Sequence, residues 1–393
     1  MERRIMILTC TAHFFTHLFM LVYPTIAVVQ ARAWNVPVAD LLVLAFPGFL
    51  LYGLAAVPFG LWADRAGGGL PVTVGLLGMG VGAVLCTLSQ LPWHLAVGLS
   101  VIGLFASAYH PAGLGLITHG VRRSAWALGV NGSFGSGAVA VAPGLAELVS
   151  EGFGWRFAFG ALAVPALIVG VVFLFLPIVV NRAEPAAAAA RKEPTTLWSP
   201  TFLMLCVTML VAGLAYRATS VALPVLFDEH VGFVGHGVAT SMAYSLAIIM
   251  NYAGGRLTER FDAPRVYWAF HALSLPPLIA AAWMTGLPLL VLMALYTACA
   301  LGTQPAENSL LARLTPVGRR SVGFGVKFTL AFGVGALAVP VVAAILKYSG
   351  TQAVQWLLVG LVTVLLVLVT TLTAITRRTV SISGGSDSAH PPT

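Results

Sequence analysis

Charge is scarce in this chain. Asp, Glu, Lys and Arg make up 9% of its 393 residues, against 59% hydrophobic types, and the mean hydropathy is +0.92. A water-soluble domain carries roughly a quarter of its residues charged, so this composition excludes one and leaves a bilayer as the solvent. Cysteine is sparse too. Cys10, Cys86, Cys206 and Cys299 stand in separate apolar runs without CxxC spacing, which indicates neither a disulfide framework nor a zinc site. Catalytic signatures are missing as well: there is no HExxH, no phosphate-cradling Gly-Lys-Ser/Thr, no exposed Ser or Cys nucleophile motif, and no extramembrane stretch to house one. Neither an enzyme nor a cofactor is expected.

What the chain does have is long apolar runs. A helix needs roughly 20 apolar residues to cross the hydrocarbon core, and the sequence divides into about twelve such spans, at roughly 5–29, 39–63, 70–90, 94–117, 124–149, 155–180, 201–227, 236–256, 264–285, 287–312, 320–346 and 352–376. The start, Met1-Glu2-Arg3-Arg4, resembles that of a signal peptide. No small-residue cleavage site precedes Tyr23-Pro24, however, so the run is expected to be retained as the first span.

The net charge of +8 could suggest a polyanionic partner, but its distribution along the chain argues otherwise. With the N-terminus inside, sixteen of the 21 Lys and Arg fall on the cytoplasmic side, and only Arg32, Arg156 and Lys347 fall outside. This is the positive-inside bias, and it places both termini in the cytoplasm of an inner-membrane protein. Nucleic acid is not an expected partner; the bilayer, a small-molecule substrate and protons are, and the protein is expected to be a monomer.

Residues 181–200, rich in Pro and Ala, sit near the midpoint and read as a cytoplasmic linker between a six-helix half at 1–180 and another at 201–376. Residues 377–393, rich in Ser, Gly and Pro, read as a disordered cytoplasmic tail. The halves repeat one plan. Gly60 to Arg65 matches Gly255 to Arg260, His110-Pro111-Ala112 matches Gln304-Pro305-Ala306, Arg122-Arg123 matches Arg319-Arg320, and Phe134 to Ala138 matches Phe332 to Ala336, all at offsets of roughly 195. An even number of spans per half makes the two repeats parallel. The predicted fold class is thus an all-α membrane protein of twelve transmembrane helices in two parallel six-helix repeats.

The run Gly60-Leu61-Trp62-Ala63-Asp64-Arg65-Ala66-Gly67 resembles the cytoplasmic loop signature of the major facilitator superfamily, with Gly255 to Arg260 as its second copy. Within that family, His13, His17 and Tyr23-Pro24 together with Tyr109-His110-Pro111 resemble the fosmidomycin-resistance branch of drug exporters. The resemblance implies alternating access by a secondary transporter whose cavity is lined by spans 1, 4, 7 and 10. It assigns a cytoplasmic gate to Gly60, Asp64, Arg65, Glu259 and Arg260, since a carboxylate and an arginine on a flexed turn can bond the facing half in one state and release it in the other. Gly129, Gly132, Gly135 and Gly137 loosely resemble the antiporter signature of helix 5. They read equally as small residues for close helix packing.

Ionisable groups in hydrocarbon cost several kcal/mol unless they face a cavity or a partner. Six stand out in the spans: His13, His17, His110, Arg217, Glu307 and Lys327. Arg217, aligned with His17 through Pro224 and Pro24, suits a carboxylate, phosphate or phosphonate. His13 and His17 share a helix face and, with Glu307, are candidate proton carriers; with Met20 and His110 the two could instead hold a transition metal. Glu307 is alternatively a gate residue bonded to Arg260 or Arg313, or the partner of Lys327. His17, Tyr23, His110, Arg217, Gln304, Asn308 and Lys327 form the expected substrate site, with Tyr109, Asn131 and Tyr216 as further polar groups. The expected activity is proton-coupled movement of a small organic anion, with export favoured. The alternatives are a transition-metal transporter and a non-transporting receptor or assembly factor.

Overall fold

The computed structural model describes residues 1–178, 198–316 and 320–385. Nearly all of the predicted linker, Arg319 and residues 386–393 of the predicted tail lie outside them. Among the described residues every regular element is helical. In order they are α1 (Glu2–Trp34), α2 (Val38–Leu42), α3 (Phe46–Leu54), α4 (Ala56–Ala66), α5 (Gly69–Thr87), α6 (Pro92–Ala106), α7 (Tyr109–Gly120), α8 (Ser124–Phe153) and α9 (Trp155–Phe175). Beyond the linker follow α10 (Pro200–His230), α11 (His236–Arg260), α12 (Ala263–Ala281), α13 (Gly286–Gly302), α14 (Gln304–Leu314), α15 (Arg320–Phe328) and α16 (Ala338–Gly385). In lipid the backbone must satisfy its own polar groups, which is why these apolar runs become helices.

Eight of the described helices are long and apolar enough to cross a membrane, or nine if the bent pair Val38–Leu54 and Ala56–Ala66 is one span. One of the eight stretches runs over Gly323–Thr376, 54 residues, and is interrupted at Gly350, whose φ of 77° breaks the helix. α11 and α12 fall short in apolarity; α11 carries His236, Ser241, Ser245 and Asn251 along its length. The count of twelve therefore remains a reading of the sequence. α16 continues to Gly385, past the predicted boundary at Thr376.

Two helix breaks position the site. α6 gives way to α7 at Ser107-Ala108, just before His110-Pro111, and α13 gives way to α14 at Thr303, just before Gln304-Pro305. Proline lacks the N–H that would continue the ladder and crowds the preceding turn. The matched motifs of the two halves thus become matched breaks, each presenting a polar side chain at the first turn of a new helix. A third irregularity is the π-helical turn Thr329–Gly333 after α15.

Glycines bring some of these helices into backbone contact. A Cβ on Gly53 would overlap the Gly333 backbone, and one on Gly103 would overlap Gly48. Gly53→Ala is expected to cost about 1–3 kcal/mol through overpacking and to lower the Tm in detergent. Gly129→Ala, where an added Cβ meets open space, is expected to leave the Tm unchanged.

The halves are also tied by charge, at the end of the bundle away from Glu2. There Arg32 on α1 pairs with Asp228 on α10, Lys347 on α16 pairs with Asp40 on α2 at 2.7 Å, and His236 on α11 meets Glu147 on α8 at 2.7 Å. At the opposite end Arg122 with Glu2, Arg313 with Asp262 and Arg256 with Glu259 each stay within one half.

Candidate functional site

Three histidines converge where α1 meets the α6–α7 break. His13 and His17, one turn apart on α1, place their Nε2 atoms 3.1 Å from each other. His13 Nδ1 lies 2.8 Å from the Asn131 carbonyl oxygen. A carbonyl only accepts, so Nδ1 carries the proton, and His13 Nε2 then accepts from His17 Nε2–H. His13 stacks on Tyr109 with ring centroids 4.6 Å apart, and the Tyr109 hydroxyl donates to Asn131 Oδ1 at 2.5 Å. Gly135 makes room for this ring, since a Cβ there would lie 2.5 Å from His13 Nε2. Of the two readings of the α8 glycines, close packing fits Gly135 alone: Gly129, Gly132 and Gly137 face open space. His110 Nε2 is 2.9 Å from the Tyr52 hydroxyl. One nitrogen from each of His13, His17 and His110 lies within 4.8 Å of the other two.

This cluster abuts the second half of the chain through aromatic rings. His110 stacks on Phe328 at 4.6 Å and Tyr52 stacks on Phe332 at 4.8 Å. Phe328 immediately precedes the π-helical turn and Phe332 lies within it, a distortion often found where a helix does functional work.

Arg217 on α10 is 2% exposed. Its guanidinium lies 3.6 Å from the centroid of the Phe49 ring, and Nε and Nη1 have no hydrogen-bond partner. Cation–π contact offsets part of the desolvation, but two buried donor nitrogens of a permanent cation stay without acceptors. Each such group is costly in a low-dielectric interior. His17 lies within electrostatic range of this charge.

A second polar cluster occupies the α13–α14 break. Lys327 Nζ lies 2.7 Å from Glu307 Oε1, 2.5 Å from Asn308 Oδ1 and 3.3 Å from Gln304 Oε1, so its three donors meet three acceptors. The Tyr267 hydroxyl donates to Glu307 Oε2 at 2.9 Å. Glu307 is thus bonded to Lys327, the neighbour on α15, whereas Arg313 pairs with Asp262 and Glu259 with Arg256. Beside this cluster lies a cavity of about 50 Å³ lined by Tyr216, Tyr244, His271, Ser274, Tyr296 and Gln304. Tyr244 Oη and His271 Nε2 are buried without partners, and the space suits a few water molecules.

Of the residues singled out from sequence, His13, His17 and His110 form the first cluster, Glu307, Gln304, Asn308 and Lys327 the second, and Arg217 stands apart with the free valences. Tyr23 does not join them. Its hydroxyl donates to the Leu41 carbonyl at 2.7 Å, so it ties α1 to α2, because Leu41 brings an exposed-end carbonyl against the buried ring. Met20 sits in the aliphatic core. A Cβ on Gly60 would lie 3.3 Å from Pro111 Cβ, while Asp64 and Arg65 are exposed at the end of α4. Sequence reasoning missed Phe49, Tyr52, Phe328, Phe332 and Tyr244. It also missed His271 and Glu147, which lie inside spans and would have been found by the same cost argument that picked out Glu307.

The family model described as Major Facilitator Superfamily matches residues 5–250 and, in a second match, residues 205–392. A gentisate transporter of Corynebacterium glutamicum is 25% identical over 358 residues, 83% of this chain and 77% of that protein. The multidrug resistance protein MdtG of Yersinia enterocolitica is 26% identical over 288 residues, 68% of this chain and 67% of that protein. Among solved structures, a bacterial homolog of the human lysosomal transporter Spinster, inward-facing and occupied, superposes with a TM-score of 0.76 at 14% identity, over 95% of this chain and 97% of that one. A peptide transporter POT in complex with sulfate gives a TM-score of 0.72 at 16% identity, over 94% of each chain. At these identities the structural likeness speaks for the fold alone.

Proposed function

Because this chain belongs to the major facilitator superfamily, and is therefore a multi-pass membrane transporter rather than an enzyme, we propose that it carries a small organic anion by proton-coupled alternating access. The observation that carries this reading is Arg217, a buried guanidinium with two unfilled N–H donors where the sequence provides no acid at that depth. A carboxylate, with two acceptor oxygens, matches Nε and Nη1 or another pair of these donors bidentately. The flat rings of Phe49 and Tyr216, 3.6 and 5.9 Å from the guanidinium, favour an aromatic acid, in keeping with the relative named as a gentisate transporter. Gln304, Asn308 and Lys327 supply the second group of contacts. Proton entry at His17 or Glu307 alternates with anion release from Arg217.

With both termini in the cytoplasm of the inner membrane, the ion-paired end faces outward and the arrangement is closed on that side. Export is the proposed direction, on the resemblance of the α8 glycines to antiporters and the similarity to a protein named for multidrug resistance. One observation favours a second reading: the 4.8 Å clustering of three histidines suits a transition metal. The nearby cations Arg217 and Lys327 weigh against a bare dication there.

Thermal stabilisation of the purified protein separates the two, since a ligand that binds only the folded state raises the Tm with concentration. Gentisate, other aromatic carboxylates and phosphonates are compared with Zn²⁺ and Co²⁺. Stabilisation by a carboxylate that disappears in Arg217→Ala supports the anion reading. Stabilisation by a metal that survives Arg217→Ala and disappears in His17→Ala overturns it.

A further inference from the structure

The mechanism above makes no use of the buried ion pair that joins the two halves far from Arg217. His236 opens α11 with a side chain 1% exposed, and Glu147 on α8 is 7% exposed. His236 Nδ1 lies 2.7 Å from Glu147 Oε1 and 3.5 Å from Asp228 Oδ1 on α10. On its other side, Nε2 lies 3.2 Å from the Thr25 carbonyl oxygen on α1. Glycines on both sides of His236 admit the carboxylate: a side chain on Gly235 would overlap the Glu147 carboxylate, and one on Gly237 would lie 2.7 Å from Glu147 Cβ. The Val238 N–H donates to Glu147 Oε2 at 3.0 Å.

The geometry offers this imidazole an acceptor at each ring nitrogen. The Thr25 carbonyl can only accept, so Nε2 carries a hydrogen. At 2.7 Å the Nδ1 to Oε1 contact also requires one, since a bare imidazole nitrogen facing an ionised carboxylate offers two lone pairs to each other. Only a ring with hydrogens on both nitrogens makes the two bonds at once; a neutral imidazole makes one or the other. With Asp228 beside Nδ1 and a backbone N–H on Glu147 Oε2, the second hydrogen belongs on the imidazole.

We propose that His236 and Glu147 form a proton-binding site whose occupancy holds the two halves of the transporter together at this end. Its donors and acceptors come from both sides of the linker, Thr25 and Glu147 before it and His236 and Asp228 after it. Loss of the proton leaves the His236 lone pair facing two carboxylates and removes the buried bond across the interface. The other charges at this end keep their partners. Arg32 bridges Asp228 and Glu151, Lys347 holds Asp40, and His230 lies 3.6 Å from Glu229 and 2.9 Å from Thr351. Closure of this end is thus favoured at low pH and lost as pH rises, which couples its opening to proton release on that side. This gate is independent of the cargo and of Arg217.

Pulsed electron–electron resonance in nanodiscs, without substrate, tests the site. Spin labels go on Leu88→Cys and Met284→Cys, both exposed at this end, with Cys10, Cys86, Cys206 and Cys299 replaced by serine. From about pH 5 to about pH 9, across the range in which histidine titrates, a longer-distance population is expected to grow in the otherwise wild-type protein. His236→Gln and Glu147→Gln are expected to abolish that response, His236→Lys to hold the short distance at every pH, and His230→Gln to respond as wild type. A wild-type distribution that ignores pH overturns the proposal. So does a wild-type response in His236→Gln or Glu147→Gln, or loss of the response in His230→Gln alone.

Discussion

Arg217→Ala is expected to weaken organic-anion binding by roughly 100-fold or more while raising the Tm of the ligand-free protein. The two effects have one origin. Nε and Nη1 of Arg217 are buried without partners, so the empty site carries the cost of a desolvated charge that the Phe49 ring offsets only in part. Truncation removes that cost. It also removes two charge-assisted hydrogen bonds to the ligand, each worth about 1.5–3 kcal/mol, and every 1.4 kcal/mol is about tenfold in affinity. Arg217→Lys keeps the charge but lacks the planar fork, so an intermediate loss is expected. Equilibrium binding of a radiolabelled aromatic carboxylate together with ligand-free thermal unfolding measures both effects. A lower Tm with unchanged affinity would mark Arg217 as a packing residue.

Lys327→Ala is expected to be the most destabilising single change in the second cluster, by about 3–5 kcal/mol. It would strand Glu307, 3% exposed and otherwise held by Tyr267 alone. The reverse change is milder. In Glu307→Gln the Lys327 ammonium keeps Asn308 and Gln304 as acceptors, and the new amide can still accept from Tyr267. The double variant Lys327→Ala with Glu307→Gln is therefore expected to recover most of the stability lost in Lys327→Ala, a coupling that a double-mutant cycle of unfolding in detergent reads directly. Additive losses would mean that the 2.7 Å contact contributes nothing. If Glu307 also carries the proton, Glu307→Gln retains anion binding and loses the dependence of transport on a pH gradient.

The fold was legible where the sequence carries expensive residues or long apolar runs. Continuous hydrophobic stretches set the helices, but the breaks before Pro111 and Pro305 fall inside runs read as the unbroken spans 94–117 and 287–312, although a residue that cannot continue a helix stands at each. Arg217, Glu307 and Lys327 were legible because burying them demands a reason. The aromatic surroundings were not. Phe49, Phe328 and Phe332 look in sequence like any lipid-facing ring, and only the crossing of α3 over the π-helical turn sets them against Arg217, His110 and Tyr52. Tyr23, by contrast, looked like a site residue because it is a polar group in the first span, and the Leu41 carbonyl takes its hydroxyl instead. His236 stood at a predicted span edge, where a polar residue needs no explanation. Its partner Glu147 is about 90 residues away and could not be matched to it without the fold.

The most direct test of the account is flux. Purified protein is reconstituted into proteoliposomes, an inward or outward pH gradient is imposed, and movement of radiolabelled gentisate and related carboxylates is followed in wild type, Arg217→Ala and Glu307→Gln. The account predicts carboxylate movement that follows the proton gradient in wild type, is lost in Arg217→Ala, and no longer responds to the gradient in Glu307→Gln, with opposite movement of anion and proton if the protein is an exporter. Movement that is undiminished in both variants would contradict it.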